Sequence, residues 1–82
     1  MNRETFKEKV LENKVPDSWY SINNGTKLDS YILIENKNYW EFFYNDERGE
    51  TSLWTVFENE DLALDYMWKK IEQNIRLFNW NK

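Results

Sequence analysis

Apolar and polar positions alternate with a period of two through the middle of the chain, then change to a period near 3.6 after Phe57. The first pattern belongs to half-buried strands and the second to a helix with one buried face. Residues 39–57 carry the alternation most clearly, as two runs of aromatic and β-branched side chains around the polar segment Asn45-Asp46-Glu47-Arg48-Gly49-Glu50. This predicts a β-hairpin, with Gly49 supplying the positive φ that a longer hairpin loop commonly needs. Trp40, Phe42 and Tyr44 fall on one face of the first strand. On the returning strand Leu53, Thr55 and Phe57 share one face, and Trp54 and Val56 the other. Both faces carry large apolar groups, so the pattern leaves open which is buried.

The flanking stretches supply further strands and two helices. A short helix is expected over residues 3–13, capped by Asn2, with Phe6, Val10 and Leu11 as its apolar stripe. Pro16 disfavours the α conformation at Val15, so residues 15–17 leave the helix extended. Residues 19–22 are expected to form the first strand and Asn23-Asn24-Gly25-Thr26 a hairpin turn, since Asn-Gly is a strong hairpin signal. A second strand follows over 28–35, where Leu28, Ser30, Ile32 and Ile34 alternate with Asp29, Tyr31, Leu33 and Glu35. After a turn at 35–38 comes the central hairpin. Asn59 then caps a second helix from Glu60 to at least Asn74, with Glu60 and Asp61 at the positive end of its dipole. Leu64, Met67, Trp68, Ile71, Ile75 and Phe78 make its apolar stripe, while residues 77–80 either prolong it or fold back. Short connections favour antiparallel neighbours. The expected fold class is α+β: a two-layer, four-stranded antiparallel meander with an N-terminal helix and a C-terminal helix packed on the sheet. Trp40, Phe57, Ala63 and Trp68 are expected in its core.

Composition fits one small domain. The chain has 82 residues, 40% hydrophobic and 18% aromatic, which sets it apart from disordered sequences although 32% of it is charged. It contains no Cys and no His, which removes disulfides, thiolate chemistry, sulfur-ligated metals and the usual neutral-pH proton shuttle. The net charge is −4, from 15 acidic and 11 basic residues, against the cationic surface that a nucleic-acid binder needs. A basic protein partner is the better electrostatic match. No stretch resembles a signal-peptide core or approaches the roughly 20 apolar residues of a membrane span. We therefore expect a cytoplasmic protein with no membrane or nucleic-acid partner; a monomer is favoured, but the pattern leaves the oligomeric state open.

The chemistry-bearing patterns are mostly missing. The chain has no phosphate-cradling Gly-rich loop, no zinc or calcium spacing, and no nucleophile with a recognisable base. Asp46 with Glu47, or Glu58 with Glu60 and Asp61, can be drawn as acid–base pairs, but such carboxylates ordinarily belong to a solvated turn or a helix start. The expectation is a binding protein without enzymatic activity, cofactor or metal.

The order Trp40-Glu41-Phe42-Phe43-Tyr44-Asn45-Asp46-Glu47-Arg48-Gly49, then Phe57, Glu60, Ala63 and Tyr66-Met67, resembles small bacterial immunity proteins of polymorphic-toxin and contact-dependent inhibition systems. Val15-Pro16-Asp17 followed by Tyr20-Ser21-Ile22 is similar to the segment those proteins place between first helix and first strand. The likeness covers roughly residues 6–71. Leu64 departs from it, standing where a small residue is common. The resemblance implies a cytosolic inhibitor that binds a cognate toxin domain, often a nuclease, and occludes its active site or substrate surface. Asp46, Glu47, Glu50 and Trp54 are the candidate partner-binding residues, with Asp29 and Tyr31 as secondary candidates. The alternative is a phage- or plasmid-encoded acidic inhibitor of a host enzyme.

Overall fold

Asn2 starts the first helix, its side-chain oxygen accepting the backbone N–H of Thr5 at 2.8 Å. This helix, α1, spans Arg3–Glu12 in the computed structural model, which describes residues 1–78. It ends in a Schellman turn: Lys14 takes the left-handed conformation at φ 55°, while the N–H groups of Lys14 and Val15 donate to the carbonyls of Leu11 and Val10. Phe6, Val10 and Val15 are buried. Leu11, expected in the stripe, is instead 77% exposed, because one step of about 100° from Val10 carries it off the narrow buried face.

After a single 3-10 turn at Asp17–Trp19 come four strands: β1 (Tyr20–Ile22), β2 (Ser30–Glu35), β3 (Trp40–Asn45) and β4 (Thr51–Phe57). They lie in the order β1-β2-β3-β4. β2, β3 and β4 are antiparallel neighbours, as expected. β1 corrects the expected antiparallel meander, since it pairs parallel to β2, Tyr20 beside Tyr31 and Ile22 beside Leu33. The sheet is therefore mixed.

Residues 23–29 achieve this reversal in place of the expected Asn-Gly hairpin. Asn23, Gly25 and Asp29 all have positive φ, at 52°, 79° and 54°, and turn the chain back to the start of β2. The Asn23 N–H donates to the Leu33 carbonyl and its side chain accepts the Glu35 N–H, which extends the parallel register past Ile22. Ser21 Oγ donates to the Gly25 carbonyl, and Ser30 Oγ and Asn45 Nδ2 both donate to that of Lys27. Ser21, Ser30 and Asn45 point away from the helices, so the return loop lies on that back side of the sheet.

The front side meets both helices. α2 spans Glu60–Phe78, with Asn59 as its cap accepting the Leu62 N–H at 2.9 Å. Ala63, Leu64, Met67, Trp68 and Ile71 bury themselves against Tyr31, Leu33, Trp40 and Phe42, with Phe6, Val10 and Val15 closing the side. Phe57 and Ile75 pack on this core partly buried. The Phe6 ring meets the rings of Tyr20 and Trp68 edge to face, at 5.4 and 6.2 Å, and so ties α1 to both the sheet and α2. The Phe78 side chain and residues 79–82, including the expected aromatic tail, lie outside the described residues.

Candidate functional site

The tip of the β3–β4 hairpin is built by Asp46. Its Oδ1 accepts the backbone N–H groups of Arg48 and Glu50, each at 2.9 Å. The Asp46 N–H donates to the Glu50 carbonyl and the Gly49 N–H to that of Asp46, closing the loop. Gly49 has the expected positive φ, 84°. This is why an aspartate and a glycine stand here: an Asp side chain at the start of a turn replaces a backbone partner, and glycine meets no Cβ clash. Asp46 is half-buried, whereas Glu47, Arg48 and Glu50 are exposed.

The loop on the back of the sheet arrives beside this tip. A Cβ on Gly49 would lie 4.0 Å from Leu28 Cδ2, so Leu28, 59% exposed, and the adjoining Asp29 stand next to the Glu47–Glu50 segment. Asp29 Oδ1 accepts the Tyr44 hydroxyl at 3.2 Å. Partial burial, with the Asp29 carboxylate next in weight, pushes the Tyr44 phenol above its ordinary pKa. Asp29 thus joins the acidic rim. Tyr31 does not: it is in the core, with its ring stacked at 5.7 Å on Phe42. Asp29 and Tyr31 both meet Tyr44, as their shared parity implies, but Asp29 lies before β2 at positive φ and is exposed whereas Tyr31 is buried.

Trp54 lies on the back face, 54% exposed, stacked at 4.4 Å and 7° on the buried ring of Phe43. Its placement depends on a bulge. The β3–β4 register shifts between Phe42 and Tyr44, and Leu53 takes φ 60°. Leu53 therefore leaves the alternation that was expected to set it beside Thr55 and Phe57. An extra residue in one strand re-aims its neighbour. Val56, two residues on from Trp54, is 55% exposed, and Leu28 and Leu53 are also exposed apolar residues, Leu28 next to the acidic tip.

No family model, curated protein or solved structure matches this chain. Of the six candidates, Glu47, Glu50, Asp29 and Trp54 are surface groups around one end and the back face of the hairpin; Asp46 holds the turn beneath them. Leu28, Leu53 and Val56 were not among the candidates. The exposed Val56 is signalled only by its shared parity with Trp54, and Leu28 and Leu53 depend on a loop and a bulge that period two does not encode.

The arrangement suits recognition. Among the described residues no group of three or more acidic side chains is placed to hold a metal ion, and no helix is long and apolar enough to cross a membrane. An exposed aromatic and exposed carboxylates on the same hairpin are what a protein interface with a cationic partner uses: the ring contributes desolvation, and the charges contribute orientation and encounter rate.

Proposed function

We propose that this protein is an immunity protein that binds a cognate bacterial toxin domain and neutralises it by stoichiometric occlusion. The observation that carries the reading is one hairpin that presents the half-exposed Trp54, stacked on Phe43, along its back face and the exposed carboxylates of Glu47 and Glu50 at its tip, with exposed Asp29 bonded to Tyr44 nearby. A toxin that acts on nucleic acid has a basic working surface, and acidic groups held on a rigid hairpin stand in for the phosphates it binds. Stacking restricts the Trp54 ring before binding, which lowers the entropy lost on contact. The resemblance of the hairpin and second-helix motifs to immunity proteins supports the same reading.

Co-expression with the C-terminal domain encoded immediately upstream tests it. A stoichiometric complex with relief of growth arrest is expected. Glu47→Lys combined with Glu50→Lys should weaken that complex by roughly tenfold or more while leaving the melting temperature nearly unchanged, because exposed charges act on encounter and orientation rather than on the fold. A folded protein that neither binds nor protects sinks the pairing and leaves the second reading, an acidic inhibitor of a host enzyme carried by a phage or plasmid.

A further inference from the structure

The two edges of the sheet differ. β1 is three residues long, follows Pro16 and a 3-10 turn, and so offers little to pair with. β4 presents seven residues, Thr51–Phe57, with neither a charge nor a proline among them. Its outer side has no neighbouring strand among the described residues. Such edges template further pairing through their open N–H and C=O groups, and proteins usually guard them with charge, proline, shortness or a bulge. Only the bulge at Leu53 and Trp54 serves that purpose in β4. Beyond it Thr55, Val56 and Phe57 return to regular register with Phe42, Glu41 and Trp40.

Apolar groups flank this edge on both faces. On the back are Trp54 and Val56; on the front, Phe57, Leu62 and Tyr66 line a shallow depression of about 400 Å³, with Asp65 and Lys69 also in its wall. An added strand sends alternate side chains to opposite faces, so a single extended segment covers both. The exposed carboxylates of Glu50 and Glu58 stand immediately before and after β4. That disfavours full-length pairing with a second copy of this chain. Parallel pairing would set Glu50 beside Glu50 and Glu58 beside Glu58, and antiparallel pairing about Trp54 would set Glu50 beside Glu58. Like charges oppose directly in both of these full-length registers, which destabilises strand pairing.

We propose that β4 receives an added β-strand from a partner protein, an uncharged apolar segment with lysine or arginine at both ends. The main chain supplies the affinity of such augmentation, and the alternate side chains and the flanking charges supply its specificity. This rests on the binding function proposed above, naming the contact it uses, yet it is measurable with no toxin present.

The test is backbone hydrogen exchange by NMR on the full chain, with a synthetic Val/Thr strand carrying paired lysines at each end as the probe. Saturable binding that slows exchange in Thr55–Phe57 is expected, and the same strand flanked by glutamates should bind roughly tenfold or more weakly, since attraction at both ends becomes repulsion. Val56→Lys, at an exposed position, should keep the fold and weaken the lysine-flanked probe by a similar factor. Equal binding of the two probes, protection on β1 instead of β4, or no protection would overturn the proposal; so would a dimer of the free protein that buries β4. Probe binding without any complex with the upstream domain would retain the edge site and reject the immunity reading. The reverse result would reject the edge site alone.

Discussion

Replacing Asp46 separates the residue that shapes the hairpin tip from those that face outward. Asp46→Ala removes a carboxylate oxygen that accepts two backbone N–H groups at 2.9 Å. Each such bond contributes about 0.5–1.5 kcal/mol net, so the pair is worth at most about 3 kcal/mol. The tip is open to solvent, and the released amides of Arg48 and Glu50 regain water, so no buried donor is left unsatisfied. The expected loss is about 1.5 kcal/mol, which for a domain of this size corresponds to a fall of about 6–12 °C in melting temperature. Asp46→Asn keeps an oxygen in the same place and should lose no more than half as much. Urea titrations followed by circular dichroism measure both. An alanine variant that matches the parent within about 0.3 kcal/mol, below the smallest value expected for one of the two bonds, or an asparagine variant as costly as alanine, would refute this role for Asp46.

Two other outcomes test the packing and the titration behaviour. Leu64→Ala, at a fully buried site, should cost about 2–5 kcal/mol. Leu11→Ala, at a 77% exposed site beside the buried Val10, should stay within about 0.5 kcal/mol; denaturant titration of the two variants decides whether the α1 stripe is as narrow as described. Tyr20, Tyr31 and Tyr44 all have phenol pKa values raised in the folded state, chiefly by burial. The native protein therefore holds these protons more tightly than the unfolded chain. Their contribution is fully present below the unfolded value of about 10 and is lost as pH rises through the higher folded values. Melting temperature should fall above that point, in step with the ultraviolet signal of tyrosinate; tyrosinate formation without loss of stability would contradict the assignment.

The helices and the central hairpin were legible because local chemistry and tertiary packing agree there. Asn2 and Asn59 cap the ends they mark, the α2 stripe from Leu64 to Ile71 faces the sheet, and Gly49 takes its positive φ. The orientation of β1 was not legible. Asn-Gly announces a change of direction, but whether the chain pairs at once or first returns alongside is decided by Ser21, Ser30 and Asn45, which bind the loop carbonyls from separate strands. Leu53 was misassigned for a related reason, since one bulged residue inverts the parity of everything before it. At the tip, Asp46 carried a signal for turn chemistry as well as for surface charge, and the hydrogen bonds make it the staple of the turn.

The return loop at residues 23–29 has a further consequence for where this protein tolerates change. Ile32 and Phe43 are buried on the face away from the helices, at 0% and 4% exposure, with the loop and the Trp54 ring on that side of the sheet. Surface loops are ordinarily the places that accept insertions and length variation. This one is hydrogen-bonded to the buried Ser21, Ser30 and Asn45, and its Asn24 and Lys27 line a cleft with Arg3, Phe6 and Lys7 of α1, so lengthening it would disturb the sheet and the first helix together. The turn between β2 and β3, exposed from Asn36 to Tyr39, carries no such duty. A grafted epitope or fluorescent label belongs there, on the opposite end of the hairpin from the acidic tip.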